Sequence, residues 1–140
     1  MNKYKVKIKA NISWSGNNFC ATVDKQVPGC IVVTDKSFEG VKKALLETIQ
    51  FHVEGMLADG DAIPEWLASG GYKIEWVVEI SALIRRCENL TTLAAIARAT
   101  GINQRQLSHY ANGKKEPREA QRLRIIEGIR HIGQEMLSLG

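Results

Sequence analysis

The segment GINQRQLSHYANGKK, residues 101–115, combines a turn-forming glycine, a short helical pattern and a second glycine followed by two lysines. The preceding segment, TLAAIARAT (residues 92–100), has the spacing of a helix. When two helices cross closely, the contact point needs a small residue, the turn favours glycine and apolar residues must seal the junction. These requirements are met by Ala97, by Gly101 and by the apolar residues Ile96, Ile102, Leu107 and Tyr110. The segment therefore predicts two short helices packed across a tight turn.

Helical spacing continues on both sides of this pair. Four helices are predicted, over about residues 81–87, 92–100, 103–111 and 118–137. Asn103 has the side chain of a helix N-cap, and Gln106 is placed to complete a capping-box-like pair with it. The second and third helices together predict a helix-turn-helix.

This motif resembles the Xre/lambda-repressor-like helix-turn-helix family over roughly residues 81–127. The resemblance rests on Ala97, Gly101, Leu107, Asn112-Gly113-Lys114 and Pro117. It implies an all-α domain that binds operator duplex DNA, with base-edge contacts from Gln104, Arg105 and His109 and phosphate contacts from Asn112 and Lys114. Ser108 and Lys115 complete the set of candidate DNA contacts.

The side-chain chemistry of this set suits the major groove. Arg pairs with guanine and Gln with adenine through two hydrogen bonds, while lysine and main-chain groups hold phosphate. The chain departs from the family at Leu93, where a phosphate-binding Gln is frequent, and in having one continuous last helix about 30 Å long. In the alternative interpretation, the polar side chains merely solvate an exposed helix of an interaction domain.

The last helix carries an apolar row that could serve either of two purposes. The row consists of Leu123, Ile126, Ile129, Ile132 or Gly133, and Met136. It either pairs with a second subunit, giving a homo-oligomer of at least a dimer, or folds back over its own domain. We expect the homo-oligomer, because a palindromic operator requires a symmetric protein.

The first half of the chain predicts the order β-β-β-α-β. Residues 3–14 alternate strictly between lysine or polar residues and apolar residues, and residues 19–23, 30–34 and 72–78 are also extended patterns. Ser37 is the predicted N-cap of a helix that ends near Asp59-Gly60-Asp61, with one apolar face formed by Phe38, Val41, Leu45, Ile49 and Met56. The first three strands are expected to be antiparallel because their connections are short.

This order, with the segment VPGCIVV and an acidic turn before Ile63-Pro64, resembles the HicB-type antitoxin domain, a truncated RNase H-like fold. We assign residues 1–78 to this toxin-binding domain and residues 79–140 to the helix-turn-helix domain. The resemblance implies a protein that neutralises a HicA-like, RNA-cleaving toxin and represses its own operon. An Xre-type regulator whose first domain senses a small molecule is the alternative.

A metal-dependent nuclease is a weaker alternative, because related folds use several carboxylates around two metal ions. The first strand contains no acidic residue, so Asp24, Glu47, Glu54 and Glu75 are expected to be solvated charges. Asp59-Gly60-Asp61 lacks the spacing of a calcium loop, and His52 is expected to be a packed histidine. We therefore predict no catalytic residue, metal or cofactor. Cys20, Cys30 and Cys87 are expected to be reduced and buried.

Two regions of the first domain are candidates for partner binding. One is the row of lysines on the first strand, of which Lys5, Lys7 and Lys9 are chosen, and the other is the loop containing Asp59, Asp61 and Trp66. The row could meet an acidic partner or RNA, or it could be a solvated face that discourages edge-to-edge strand pairing.

The charge distribution supports a DNA-binding second half. Residues 91–140 hold 8 Lys and Arg against 4 Asp and Glu, whereas residues 1–90 hold 11 of each class. The sequence has neither the apolar h-region of a secretory signal nor a run long enough to span a membrane, so a soluble, cytoplasmic protein is expected.

Overall fold

The computed structural model describes residues 6–140. The chain divides into two compact units, Met1–Glu79 and Ile80–Gly140. The described residues form one four-stranded mixed sheet and six helices, which confirms a mixed α+β fold. The first unit contains β1 (Val6–Ser15), β2 (Asn18–Val23), β3 (Val32–Asp35), α1 (Phe38–Ala58), α2 (Glu65–Ala68) and β4 (Tyr72–Val78).

The sheet has the strand order β3-β2-β1-β4. β1 and β2 are antiparallel, as are β2 and β3, which confirms the prediction from the short connections. β4 pairs in parallel with β1, so that Val6 lies opposite Tyr72 and Ile12 opposite Val78. β1 is therefore an interior strand. The suggestion that its lysine row discourages edge-to-edge pairing in the folded sheet is wrong, because the edges are β3 and β4.

Alternation along β1 places one face of the sheet in the core of the first unit. Ile8, Ala10 and Ile12 have no exposed surface, whereas the intervening Lys7 and Lys9 are exposed. Helix α1 packs over β2 and β3, completing this core. The sheet is thus apolar on its α1 side and bears the lysines on the opposite side.

Helix α1 begins as predicted at Ser37, whose hydroxyl oxygen accepts a hydrogen bond from the Gly40 N–H at 2.9 Å. It ends at Ala58, with Asp59 as its C-cap. The buried residues of the helix are Phe38, Val41, Leu45, Ile49 and Val53. Val53 continues the buried face where Met56 was expected to do so, and Met56 is only half-buried.

His52 contacts the turn before β3. Its Nε2 lies 2.6 Å from the Pro28 carbonyl oxygen, and a Cβ added to Gly29 would come within 3.0 Å of the imidazole ring. Gly29 also has a φ of +89°, a left-handed conformation that glycine adopts without strain. His52 is half-buried, which agrees with a packed histidine.

The three cysteines are free thiols in three different environments. Cys87 is buried and Cys20 is half-buried, but Cys30 is exposed. The expectation of buried thiols is therefore wrong for Cys30, because this residue lies in the turn that follows Pro28-Gly29 and not inside a strand.

The second unit consists of α3 (Ile80–Cys87), α4 (Leu93–Thr100), α5 (Gln104–Ala111) and α6 (Glu119–Ser138). Each helix matches its predicted span to within one or two residues. Their core contains Ile80, Ile84, Cys87, Ile96, Ile102, Leu107, Tyr110, Ala111 and Ile125. Among the described helices, none has both the length and the apolar composition required to cross a membrane.

Helix α6 packs against α4, and part of the predicted row contributes, since Ile126, Ile129 and Ile132 are partly buried against the core of the second unit. Ile125 and Gly128 are the buried residues of this helix, while Leu123 is 50% exposed and Met136 is 48% exposed. A Cβ added to Gly128 would lie 2.4 Å from the Thr100 methyl group, so glycine permits the close approach of the two helices. The first half of α6 thus folds back over its own unit. Its C-terminal end leaves Leu137 and Leu139 more than four-fifths exposed, at 85% and 86%.

Candidate nucleic-acid interface

The turn between α4 and α5 has a fixed backbone path. Gly101 has a φ of 72°, and its N–H donates to the Ala97 carbonyl at 2.8 Å. The Thr100 hydroxyl donates to the Ile96 carbonyl at 2.7 Å and accepts from the Ile102 N–H at 3.1 Å. These bonds satisfy the polar groups of the turn while Ile102 enters the core. The left-handed φ explains the glycine that the sequence pattern required.

Helix α5 is held at its N-terminus and along its inner face. The Asn103 side-chain oxygen accepts a hydrogen bond from the Arg105 N–H at 2.8 Å, so the predicted N-cap is confirmed. Gln106 does not follow the capping-box expectation: its side-chain amide donates to the Tyr110 hydroxyl at 2.9 Å. Leu107 has no exposed surface and Tyr110 is 3% exposed. The inner face of α5 is therefore fixed in the core.

The outer face of α5 brings the predicted DNA contacts together. Positions 104, 105, 108, 109 and 112 follow helical spacing on one side of the helix. Gln104, Arg105 and Asn112 are exposed, whereas Ser108 and His109 are half-buried. One continuous surface thus offers guanidinium, amide, hydroxyl and imidazole groups to a ligand.

The segment after α5 presents two lysines. Gly113 has a φ of 71°, the Gly113 N–H donates to the Tyr110 carbonyl at 3.1 Å, and the Lys114 N–H donates to the His109 carbonyl at 3.0 Å. This closes the helix with a glycine in the left-handed conformation. Lys114 and Lys115 are both exposed, next to the outer face of α5.

Arg85 of α3 fixes the C-terminal end of α5, a role that no local sequence pattern indicates. Its Nε donates to the Ala111 carbonyl at 3.1 Å, and its Nη2 donates to the Asn112 side-chain oxygen. Its Nη1 contacts Glu88 at 2.9 Å. Arg85 and Asn112 are 27 residues apart in sequence, so no local pattern could have paired them.

The Arg85 contact determines which end of the Asn112 amide is left for other partners. Because the oxygen is directed to Arg85, the amide nitrogen is directed away and lies 3.5 Å from the Ser108 hydroxyl. Phosphate oxygens accept hydrogen bonds, so a phosphate contact from Asn112 would use this N–H₂ group. The local geometry is therefore compatible with the expected role of Asn112.

The partner-binding candidates of the first unit are separate groups. Lys7 and Lys9 are exposed on β1, and Lys5 lies outside the described residues. Asp59 and Asp61 are exposed after α1. Trp66 is half-buried, with its ring centroid 6.4 Å from that of Tyr72 in an edge-to-face contact.

The carboxylates considered for a nuclease site are all exposed: Asp24, Glu47, Glu54 and Glu75. Within residues 6–140, no three His, Cys, Asp or Glu side chains are grouped as ligands of one metal ion.

Comparisons of the chain with protein-family models, curated proteins and solved structures each found no match. The functional interpretation rests on the residues and on their geometry.

Proposed function

We propose that this chain is the antitoxin of a type II, HicA/HicB-like toxin-antitoxin system, and that it represses its own operon by binding operator duplex DNA. The outer face of α5 is the observation that carries this proposal. There Gln104 and Arg105 are exposed at the start of the helix, and Lys114 and Lys115 are exposed beyond its end. Base-reading side chains bordered by phosphate-binding ones are the arrangement that specific DNA recognition requires.

The first unit supports the toxin-binding part of the proposal. Its described elements run β1-β2-β3-α1-α2-β4, and the interior strand β1 carries no carboxylate. We interpret it as a truncated RNase H-like domain without a metal cluster, so that the sheet and helix serve as a docking scaffold and not as an enzyme. Its proposed partner is a HicA-like, RNA-cleaving toxin.

The C-terminal end of α6 supports a homo-oligomer of at least two subunits. A groove of about 670 Å³ lies between α4 and this end. Its lining is mixed, with apolar residues such as Ala95, Ala99 and Ile132 and the polar residues Arg98, His131 and Glu135. Leu137 and Leu139 are exposed next to it. Exposed leucines at the end of a helix favour contact with a second copy of the same surface.

DNA binding is tested with a duplex that contains the promoter region of the chain's own operon, compared with a scrambled duplex. Arg105→Ala should weaken operator binding by about 1 to 3 kcal/mol and relax one base preference. Lys114→Ala should weaken binding to both duplexes and reduce the salt slope by about one unit. Lys73→Ala, which removes an exposed lysine from β4, is the charge-matched control. Equal loss of specificity from both variants, or no DNA binding at low salt, contradicts the proposal.

Toxin neutralisation is tested by co-expressing the full chain with the short reading frame adjacent to its gene. Restored growth is the expected result, and continued toxicity in the presence of folded chain contradicts it. The purified chain should cleave neither RNA nor DNA when Mg²⁺ or Mn²⁺ is added. Cleavage that is abolished by Asp24→Asn or Glu47→Gln would instead establish a nuclease.

A further inference from the structure

Helix α1 carries apolar side chains on the side that faces away from the sheet. Phe51 is 78% exposed, Leu57 is 51% exposed and Leu46 is 47% exposed. At about 100° of rotation per residue, Glu47 and Glu54 lie between Phe51 on one flank and the two leucines on the other. We call this surface the outer face of α1. An exposed aromatic residue among aliphatic ones is the kind of anchor that is enriched at protein–protein interfaces.

Gly55 lies one helical turn after Phe51 on this outer face. A Cβ added to Gly55 would meet no atom within 4 Å in the described part of the chain. Glycine destabilises a helix interior relative to alanine, and the packing of the chain gives no reason for it here. A glycine beside an exposed phenylalanine does leave room for another chain to approach the helix backbone.

Apart from Lys43, which is exposed one turn before Glu47, the charge around the outer face is negative. Between residues 44 and 71 the chain has five acidic residues and neither lysine nor arginine. Each of the five is exposed: Glu47, Glu54, Asp59, Asp61 and Glu65. A surface of this composition attracts a cationic partner and repels an anionic one such as RNA.

An apolar anchor surrounded by negative charge suits an inhibitor of an RNA-cleaving protein. A protein that binds RNA presents a cationic surface to the phosphate backbone, so a chain that covers that surface requires negative charge around an apolar anchor. On the basis of the function proposed above, we propose that the outer face of α1, with Phe51 and Gly55 on one flank, docks the cationic RNA-binding surface of the toxin. The lysine row of β1 has the wrong charge for this contact. The loop with Asp59 and Asp61 extends the docking surface beyond the helix.

The proposal is tested by titrating the full chain with the protein encoded by the short reading frame adjacent to its gene. Phe51→Ala removes the anchor, and Gly55→Gln fills the space beside it; each should weaken binding about 30-fold or more. Leu90→Ala is the matched control, because Leu90 is 74% exposed in the second unit, and it should leave the affinity unchanged. Gly55→Gln should also raise the thermal midpoint, since glutamine is the better helix former. Loss of binding by this variant is therefore separate from loss of folding.

The charge is tested with the double variant Glu47→Gln/Glu54→Gln, whose association rate should fall and depend less on salt than that of the wild type. Glu75→Gln, which makes the same change at an exposed position on β4, should have little effect. If the wild type binds and the Phe51 and Gly55 variants bind equally well, the docking surface is wrong and the antitoxin function stands. If the wild type neither binds nor neutralises the neighbouring protein, the proposed function fails, and this inference fails with it.

Discussion

The close packing of α6 on α4 predicts opposite effects of the same substitution at two glycines of α6. At an exposed helix position, Gly→Ala stabilises a protein by up to about 1 kcal/mol. Gly133 is such a position, since an added Cβ meets nothing within 4 Å. At Gly128 the added Cβ would lie 2.4 Å from the Thr100 methyl group. Thr100 cannot rotate away freely, because its hydroxyl bonds both Ile96 and Ile102.

Overpacking of this kind costs about 1 to 3 kcal/mol, and displacing the Thr100 hydroxyl adds about 1 kcal/mol for each hydrogen bond that is lost. Gly128→Ala should therefore destabilise the second unit by about 1 to 3 kcal/mol after the helix-propensity gain is subtracted. Gly133→Ala should stabilise it by about 0.5 to 1 kcal/mol.

Urea unfolding measured by far-ultraviolet circular dichroism reports these changes, and tryptophan fluorescence supplies an internal control. All three tryptophans lie in the first unit: Trp14, Trp66 and Trp76. The urea midpoint of the fluorescence transition should therefore be the same in both variants as in the wild type. Two variants that shift stability in the same direction by similar amounts would refute the close contact between α4 and α6.

Three further predictions concern other parts of the structure. Burial raises the pKa of the Cys87 thiol, although the nearby Arg86 cation opposes this effect. At pH 7 to 8, iodoacetamide should therefore modify the exposed Cys30 rapidly, and Cys87 only after urea unfolds the chain. Equal modification rates of the two thiols, measured by mass spectrometry, would contradict this. Thr92→Ala removes the side-chain cap of α4, whose hydroxyl oxygen accepts a hydrogen bond from the Ala95 N–H at 3.0 Å. The substitution should lower the free energy of unfolding, measured with urea, by about 1 kcal/mol. An unchanged urea midpoint would show that the cap contributes nothing to stability. Arg85→Lys keeps the positive charge but loses the paired hydrogen bonds to the end of α5. It should lower the operator affinity measured by fluorescence anisotropy, while the salt slope of binding stays within about one unit of the wild-type value. An unchanged affinity would show that Arg85 has no positioning role.

Local chemistry made much of the fold predictable from sequence. Ser37 and Asn103 were identified as caps because a short polar side chain preceding an apolar helical pattern satisfies exposed backbone N–H groups. Gly101 was placed in the turn because only glycine adopts a left-handed φ without steric cost. The strict alternation of β1 predicted its buried face for a similar reason, since strand side chains point to opposite sides of a sheet.

The features that were missed depend on contacts between distant segments. In α6, apolar residues from Leu123 to Ile132 cover about half of the helix circumference, so periodicity alone could not show that Ile125 and Gly128 form the buried line. The Arg85 contact with Asn112 joins residues from different helices. The outer face of α5 was predictable because one short segment supplies it, whereas the support beneath it comes from elsewhere in the chain.

The position of β1 inside the sheet has a consequence for synthesis of the chain. In the sequence, β2 directly follows β1, whereas β4, which pairs in parallel with β1, ends only at Val78. At translation rates of about 5 to 20 residues per second, one side of β1 remains without its neighbour for about 3 to 11 s after β2 has been synthesised. During that time Lys7 and Lys9 flank an open strand edge in the nascent chain, and their charges oppose pairing with other nascent chains. The order of synthesis thus gives these charges a use before β4 exists that the strand order of the finished sheet removes.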